Sequence, residues 1–248
     1  MWNNHVDRIH SDYKEREEKM IGFYNYTVWL TYLSFLSAVT GIIISLYGMG
    51  HPYIGMYCLM FSGLCDAFDG RVARTKKNRT ETECKFGIQI DSLSDLVAFG
   101  ILPVCIGIAM IISGPGLEGI PHIAFKKLHW VTVALVILIM LFYALTAMIR
   151  LAYFNVVEEE RQKTEGGCRK TYVGLPVTAS ALVFPTILLI QYVTPMDVTP
   201  LYFLFMLLTA ILFVSKISVK KPGLKGILIM VGFGLIEAIL IALRYPHG

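Results

Sequence analysis

The sequence predicts an all-helical membrane bundle, and three observations lead to that prediction. Of the 248 residues, 55% are hydrophobic and only 16% are charged. A soluble domain usually has about 25% charged residues, so this chain has too few charges to cover a water-facing surface. Seven separate stretches approach the roughly 20 apolar residues that a membrane-spanning helix needs. We therefore expect six core transmembrane helices and a seventh, in one integral-membrane domain.

The seven stretches are separated by polar or turn-like residues. In chain order they cover residues 27–48, 53–74, 89–112, 130–154, 173–193, 199–216 and 225–243. The seventh contains Glu237, which weakens its apolar character. No fixed-period repeat divides the chain, so residues 1–248 are expected to form a single domain. The first 26 residues form a cytoplasmic or interfacial segment, in which 5–22 is either an amphipathic helix on the membrane surface or a solvated tail.

The basic residues predict how the chain is oriented in the membrane. Sixteen Lys and Arg residues lie before the first stretch, or between stretches two and three, four and five, or six and seven. The opposite side holds only Lys126, Lys127 and Arg244. Because positive residues accumulate on the cytoplasmic side, the sixteen are expected to face the cytoplasm in a cell-membrane protein.

Two pairs of aspartates interrupt the apolar stretches near their cytoplasmic ends. Asp66 and Asp69 lie late in the second stretch, and Asp91 and Asp95 lie early in the third. A charge at this depth is costly unless it is paired, hydrated or bound to a metal. The two stretches are joined by the single connection 75–86, so the helices are expected to be antiparallel neighbours. Four carboxylates then converge at one depth.

Helical spacing places each pair of aspartates on a face with small residues. Asp66, Asp69, Gly70 and Ala73 follow the i, i+3, i+4, i+7 pattern of one helix face, with Arg74 at its edge. At the start of the third stretch, Gly87, Asp91 and Asp95 follow the i, i+4, i+8 pattern and also share one helix face.

This combination indicates a site for metal ions and phosphate. Hard divalent cations prefer oxygen ligands, and two of them can clamp a phosphoryl group. Gly70 and Ala73 allow a ligand to approach the backbone closely, and the guanidinium of Arg74 suits a phosphate. A transporter with the carboxylates along a cation path is the alternative from another functional class.

These residues resemble the signature of the CDP-alcohol phosphotransferase family, D-x2-D-G-x2-A-R followed by G-x3-D-x3-D. The first half corresponds to 66–74 and the second to 87–95. The connection between the halves, residues 75–86, is longer than in the common pattern. Either Thr80 or Thr82 could therefore stand where the family has a substrate-contacting Thr or Ser, and we expect Thr82.

Further segments are similar to the phosphatidylserine synthase branch of that family. They are the extended third-helix segment 91–100, the Arg-Leu-Ala-Tyr-Phe-Asn segment 150–155 and the Gly-Leu-Pro segment 174–176. Relatives that act on glycerol phosphate or inositol phosphate often have Pro where this chain has Ser92. The resemblance implies transfer of the phosphatidyl group from CDP-diacylglycerol to L-serine with release of CMP. Transfer to another alcohol is the alternative within the enzyme class.

The resemblance also implies roles for individual residues. Two divalent cations per site, Mg²⁺ or Mn²⁺, are expected on Asp66, Asp69, Asp91 and Asp95, and Asp95 is also the expected catalytic base. CDP-diacylglycerol is expected to contact Asp66, Gly70, Ala73, Arg74 and Thr82. Arg150 and Asn155 are candidates for binding the acceptor serine. We also expect a homodimer in the lipid bilayer and no nucleic-acid partner.

Overall fold

The computed structural model describes most of the chain as helix. The described residues are 22–47, 52–76, 78–113, 130–164, 171–193, 197–220, 229, 231–236 and 239–240. Seven α-helices lie within the long described ranges: α1 Trp29–Leu46, α2 Pro52–Thr75, α3 Glu81–Asp95, α4 Leu102–Ser113, α5 Trp130–Thr164, α6 Ser180–Val193 and α7 Thr199–Val214. A π-helical segment, Leu96–Ile101, joins α3 to α4 without a break.

Among the residues that the structure describes, three helices are long and apolar enough to cross a membrane. They are Trp29–Leu46, the continuous helix Glu81–Ile112, and Trp130–Glu158. The apolar helices Val177–Ile190 and Thr199–Val214 are shorter. Although α2 has 24 residues, the charged residues near its end lower its hydropathy. The helical membrane character that the sequence predicts is confirmed, whereas the number of spans stays a prediction.

Two predicted stretches begin at different residues in the structure. The third helix begins at Glu81 instead of 89, because Thr80 and Glu83 form a capping box: the Thr80 side chain accepts from the Glu83 N–H, and the Glu83 side chain accepts from the Thr80 N–H. The search for apolar stretches missed this first helical turn because its residues are polar. The predicted stretch 173–193 becomes helical only at Ser180, after a 3-10 turn.

A short pair of strands adds to the predicted helical bundle. β1 Thr171–Val173 pairs with β2 Ser218–Lys220 in antiparallel register, with Tyr172 opposite Val219. Gly174 follows β1 with φ +80, a conformation that side chains disfavour. A Cβ there would also lie 2.9 Å from the carbonyl oxygen of Phe213. The strand pair therefore ends in a turn that requires glycine, and Gly174 cannot be part of the following helix.

The two ends of the chain lie largely outside the described residues. The predicted seventh stretch, 225–243, is described at 229, 231–236 and 239–240, and all of these residues are helical. Glu237 lies outside the described residues, as does all but the last residue of the predicted interfacial segment 5–22.

An aromatic core fixes the bundle beside the π-helical segment. Pro103 has no N–H to donate to the carbonyl of Phe99, four residues earlier. The Tyr143 hydroxyl from α5 donates to that carbonyl instead, at 2.6 Å. The Tyr202 hydroxyl from α7 donates to the carbonyl of Pro103 at 2.7 Å. Because both tyrosines are fully buried, these bonds fix α5 and α7 against the helix that carries Asp91 and Asp95.

Helix α2 is held between α1 and α6 by small and hydroxyl-bearing residues. Ser34 and Ser62 each donate from their hydroxyl to the other's backbone carbonyl, at 3.4 and 3.0 Å. A Cβ on Gly41 would lie 2.7 Å from the Cβ of Cys58, and one on Gly63 would lie 2.5 Å from that of Ala181. Such close approach is typical of helix packing in membranes, and it fixes the direction in which the α2 aspartates point.

Candidate active site

The structure brings the four predicted aspartates together between α2 and α3. Carboxylate oxygens of Asp66, Asp91 and Asp95 all lie within 4.8 Å of one another. Asp69 adjoins this group within hydrogen-bonding reach of Asp91, and Asp66 lies within the same reach of Asp95. Asp69 and Asp95 are each only 8% exposed. We call these four residues the carboxylate cluster.

Helix α1 ties the two sides of the carboxylate cluster together through one residue. The Thr31 hydroxyl donates to Oδ2 of Asp69 at 3.3 Å. The backbone carbonyl of Thr31 accepts from the Ser94 hydroxyl, also at 3.3 Å. Thr31, 5% exposed, thus contacts α2 and α3 at once. No sequence pattern pointed to this residue, because a threonine within an apolar helix is common.

The small face of α2 continues from the carboxylate cluster towards the end of the helix. Gly70 lies one turn beyond Asp66, and a Cβ at Gly70 would meet only the guanidinium of Arg74, at 3.5 Å or more. Ala73 is half-buried and Arg74 is exposed. The predicted small residues and the predicted arginine therefore lie beside the carboxylate cluster, and the Arg74 guanidinium covers Gly70.

The connection between α2 and α3 is fixed around Glu83. Its carboxylate is bound by Lys76 Nζ at 2.9 Å and by Asn25 Nδ2 at 3.3 Å. Thr80 is occupied by its capping role. Thr82, the expected substrate contact, is exposed on the first turn of α3. At 100° per residue it lies about 140° around the helix from Gly87, so the structure does not bring it to the face of the carboxylate cluster.

The candidate acceptor residues on α5 contact two different segments. Asn155 Nδ2 donates to the hydroxyl of Ser92 at 2.7 Å, which places it next to Asp91 in the chain. Arg150 is only 6% exposed, so it does not extend to the membrane surface as an interface arginine would. Its Nε donates to the carbonyl of Leu175 at 3.2 Å, and its guanidinium lies 5.5 Å from the Phe154 ring centroid.

The carboxylate cluster suits a hard divalent cation. Around one Mg²⁺ the ligand oxygens lie at about 2.1 Å, hence up to about 4.2 Å from one another. The 4.8 Å separation within the cluster needs only a small contraction to reach that geometry. All the ligand atoms are carboxylate oxygens, the ligand type that Mg²⁺ and Mn²⁺ prefer. Several mutually close acids in a mostly buried setting also require a positive charge between them.

Three serine-related lipid synthases are similar to this chain in sequence. A CDP-diacylglycerol–serine O-phosphatidyltransferase of Helicobacter pylori is 26% identical over 195 residues, covering 77% of this chain and 70% of that protein. The enzyme of the same name from Saccharomyces cerevisiae is 34% identical over 152 residues, covering 60% of this chain and 47% of that protein. An archaetidylserine synthase of Methanothermobacter thermautotrophicus is 26% identical over 195 residues, 78% of this chain and 69% of that protein. No solved structure matches the chain.

A family model covers most of the chain. The model for CDP-alcohol phosphatidyltransferases matches residues 24–235. That range contains the carboxylate cluster, the small face of α2, and all three helices that are long and apolar enough to cross a membrane. Chain length, composition, site and match thus agree on an integral-membrane enzyme that transfers a phosphatidyl group from a CDP-linked donor. The chain belongs to the CDP-alcohol phosphatidyltransferase family.

Proposed function

We propose that the protein transfers the phosphatidyl group of CDP-diacylglycerol to L-serine and releases CMP. The observation that carries this proposal is the carboxylate cluster beside the small face of α2, in which oxygens of Asp66, Asp91 and Asp95 lie within 4.8 Å of one another. Such a cluster can hold the cations that a diphosphate needs. The lipid part of the donor reaches the site from the bilayer, and its nucleotide part reaches it from water.

The donor is proposed to lie along α2. On the face that continues from Asp66, a Cβ at Gly70 would meet only the flexible guanidinium of Arg74, and Ala73 extends that face by one turn. Arg74, exposed at the end of the helix, can form paired hydrogen bonds with phosphate oxygens. Thr82 stays a candidate contact for a part of the donor that extends beyond this face.

The acceptor is proposed to be serine because of the contact between α3 and α5. Asn155 donates to Ser92, and this bond holds the α5 amide beside the helix that carries Asp91 and Asp95. The relatives' names also contain serine as the acceptor or as part of the product. Arg150 is proposed to position the Leu175 segment by its bond to that carbonyl, which shapes the acceptor side of the site.

The chemical step uses Asp95 as the base. Asp95 lies one helical turn beyond Asp91 on the same face and is 8% exposed. It accepts the proton of the serine hydroxyl while that oxygen bonds to the phosphorus that bears diacylglycerol. The bond between this phosphorus and the bridging oxygen breaks, and CMP leaves with the electron pair. Divalent cations held by the carboxylate cluster, two in our proposal, would neutralise charge on the diphosphate and on the departing CMP.

The site is proposed to face the cytoplasm of a cell membrane. The connection between α2 and α3, which adjoins the carboxylate cluster, is one of the segments that hold the sixteen basic residues. Accessibility labelling of Cys84, a half-buried free thiol in α3, from each side of sealed vesicles tests this orientation. The homodimer stays a prediction, which cross-linking in native membranes tests.

An acceptor panel tests the proposed reaction. The protein in detergent is given CDP-diacylglycerol with Mg²⁺ or Mn²⁺ and one radiolabelled acceptor: L-serine, glycerol phosphate, inositol or inositol phosphate. We expect labelled lipid and CMP in equal amounts with serine, and neither product after addition of EDTA. Labelled lipid from another acceptor, with none from serine, would leave the family chemistry in place but reject the serine assignment.

A cation-coupled transporter was the other class that the sequence left open. The family match favours the enzyme, as do the small face of α2 and Arg74, which a cation path does not need. Metal-dependent CMP release by protein in detergent, where there is no gradient, would exclude the transporter.

A further inference from the structure

We infer that Arg79 is a second guanidinium ligand for the diphosphate or nucleotide of the donor, opposite Arg74. This inference rests on the proposed function and adds a residue outside the signature. Arg79 comes from the connection between α2 and α3, which is longer here than in the common pattern.

The position of Arg79 is defined by Gly87. A Cβ built on Gly87 would lie 2.7 Å from Nη2 of Arg79, so the guanidinium lies directly over this glycine. Gly87 is one turn before Asp91 on the face that carries Asp91 and Asp95. Arg79 therefore covers the face of α3 that leads to the carboxylate cluster, and the absence of a side chain at Gly87 allows it to do so.

The two helices present the same arrangement. On α2, Gly70 lies one turn beyond Asp66, and the Arg74 guanidinium is its nearest neighbour, with Nη1 3.5 Å from a built Cβ. On α3, Gly87 lies one turn before Asp91, and Arg79 is its nearest neighbour. On both sides an aspartate is thus followed by a glycine and then by a guanidinium in the direction away from the core; Arg74 lies on α2, and Arg79 lies in the connection just before α3. A diphosphate held by the carboxylate cluster through cations would have an arginine on each side.

The hydrogen bonds of Arg79 leave it able to take a ligand. Nη2 donates to the carbonyl of Glu83 at 3.3 Å, which positions the guanidinium. Nε is buried and has no hydrogen-bond partner among the described residues, although a buried donor normally has one. Lys76, the neighbouring cation, is bound to Glu83 at 2.9 Å. Of these two, Arg79 is therefore the one with a donor still to be satisfied.

Binding of CDP in the presence of Mg²⁺ tests the inference without depending on the acceptor. We expect Arg79→Ala to raise the Kd of CDP about tenfold or more, the scale for losing a hydrogen bond to a charged group. Arg79→Lys should recover part of this loss, because lysine supplies the charge without the planar fork. Lys85→Ala is the matched control: it removes one exposed positive charge from α3 that is paired with Glu81, and its Kd should equal that of the wild type.

A double-mutant cycle separates binding from a structural role. Gly87→Ala displaces the guanidinium but keeps the arginine, so alone it should also raise the Kd, and in the Arg79→Ala background it should add little. An Arg79→Ala protein that binds CDP as the wild type does would overturn the inference, as would fully additive effects of the two substitutions. If Arg79→Ala does not fold, the Kd of CDP for Gly87→Ala and Arg79→Lys still tests the inference: wild-type values for both would overturn it. In turnover measurements on Arg79→Ala, the KM for CDP-diacylglycerol should rise while the KM for serine stays unchanged. If the wild-type protein binds CDP but transfers no phosphatidyl group to serine, the proposed function is rejected and the inference about Arg79 is not.

Discussion

Helix α3 carries two kinds of buried carboxylate. Glu83 and Asp95 are both 8% exposed, yet their surroundings differ completely. Glu83 accepts hydrogen bonds from Lys76, Asn25 and the backbone N–H of Thr80. Asp95 faces the carboxylates of Asp66 and Asp91. One helix, over three turns, passes from a fully partnered acid to a group of acids that repel one another.

The difference between the surroundings of Glu83 and Asp95 distinguishes a carboxylate that stabilises the fold from one that serves function. A buried charge that is paired and hydrogen-bonded helps to fix the fold, as Glu83 fixes the start of α3. A buried group of like charges lowers stability unless a ligand supplies the opposite charge. Such conflicts between local structure and stability are typical of functional sites. Burial alone does not mark the site; the sign of the neighbouring charges does.

The largest effect is expected from removing a member of the carboxylate cluster. Asp91→Ala should reduce serine transfer to background, and Asp66→Ala should do the same, because each removes an oxygen from the group within 4.8 Å. Initial rates at saturating Mg²⁺ measure this. Glu81→Ala, which removes an exposed carboxylate from the same helix, should keep wild-type activity. Retention of more than about a tenth of the activity by either cluster variant, an effect of only about 1.4 kcal/mol, would reject the assignment.

A smaller but more specific effect is expected at Asp95. Asp95→Asn keeps the shape and an oxygen ligand but cannot take the proton, so turnover should fall by roughly 10²-fold or more. The affinity for CDP-diacylglycerol should stay nearly unchanged. Both quantities are measured on one preparation. Equal losses in the two would mean that Asp95 acts as a metal ligand only and that another group accepts the proton.

Stabilisation of the protein by metal should depend on the carboxylate cluster and not on Glu83. At 100 times its Kd, Mg²⁺ or Mn²⁺ should stabilise the wild-type protein by about 2.7 kcal/mol, seen as a rise in Tm. The same addition should leave the Tm of Asp91→Ala almost unchanged, whereas Glu83→Gln should respond as the wild type does. A full metal response in Asp91→Ala would show that the ion binds elsewhere.

An effect of intermediate size is expected at Gly70, on the small face of α2 beside the carboxylate cluster. Gly70→Leu should weaken CDP-diacylglycerol binding about tenfold or more, a change of about 1.4 kcal/mol, because the new side chain takes the place over Gly70 where only the flexible Arg74 guanidinium now lies. Its Tm should match that of the wild type, since a Cβ there meets only the flexible Arg74 side chain. A lower Tm, with activity regained in stabilising lipid, would show that Gly70 serves helix packing instead.

The smallest effect is expected at Glu83. Glu83→Gln keeps the shape but weakens the contacts with Lys76 and the Thr80 N–H, so the free energy of unfolding should fall by about 1 kcal/mol. Activity per folded molecule should stay unchanged. Thermal denaturation and initial rates on the same sample measure the two. A large loss of activity without a loss of stability would place Glu83 in the site and erase the contrast with Asp95.

The sequence predicted the carboxylate cluster because that information is local. The spacing of Asp66 and Asp69, and of Asp91 and Asp95, fixes one face on each of two adjacent helices. Capping by Thr80 and Glu83 was also readable from their spacing, but a search for apolar residues passed over it. The start of α3 was therefore predicted too late.

Other features depend on residues that are far apart in the chain. β1 and β2 are three residues each and join 171–173 to 218–220, a pairing with no local signal. The bond from Asn155 to Ser92 spans 63 positions, and Thr31 contacts Asp69 across 38. The π-helical segment before Pro103 depends on a hydroxyl from α5. Packing, not propensity, determines each of these.

The length of α5 links the proposed acceptor residue Asn155 to the thickness of the membrane. Its 35 residues extend about 52 Å at 1.5 Å per residue, whereas the hydrocarbon layer is about 30 Å thick. The surplus must tilt the helix or carry its charged end into water, and Asn155 lies close to that end. A bilayer of shorter or longer acyl chains would then shift the depth of Asn155 relative to the lipid phosphates. Hydrophobic mismatch thereby becomes a variable of the reaction, set by the lipids among which the enzyme works.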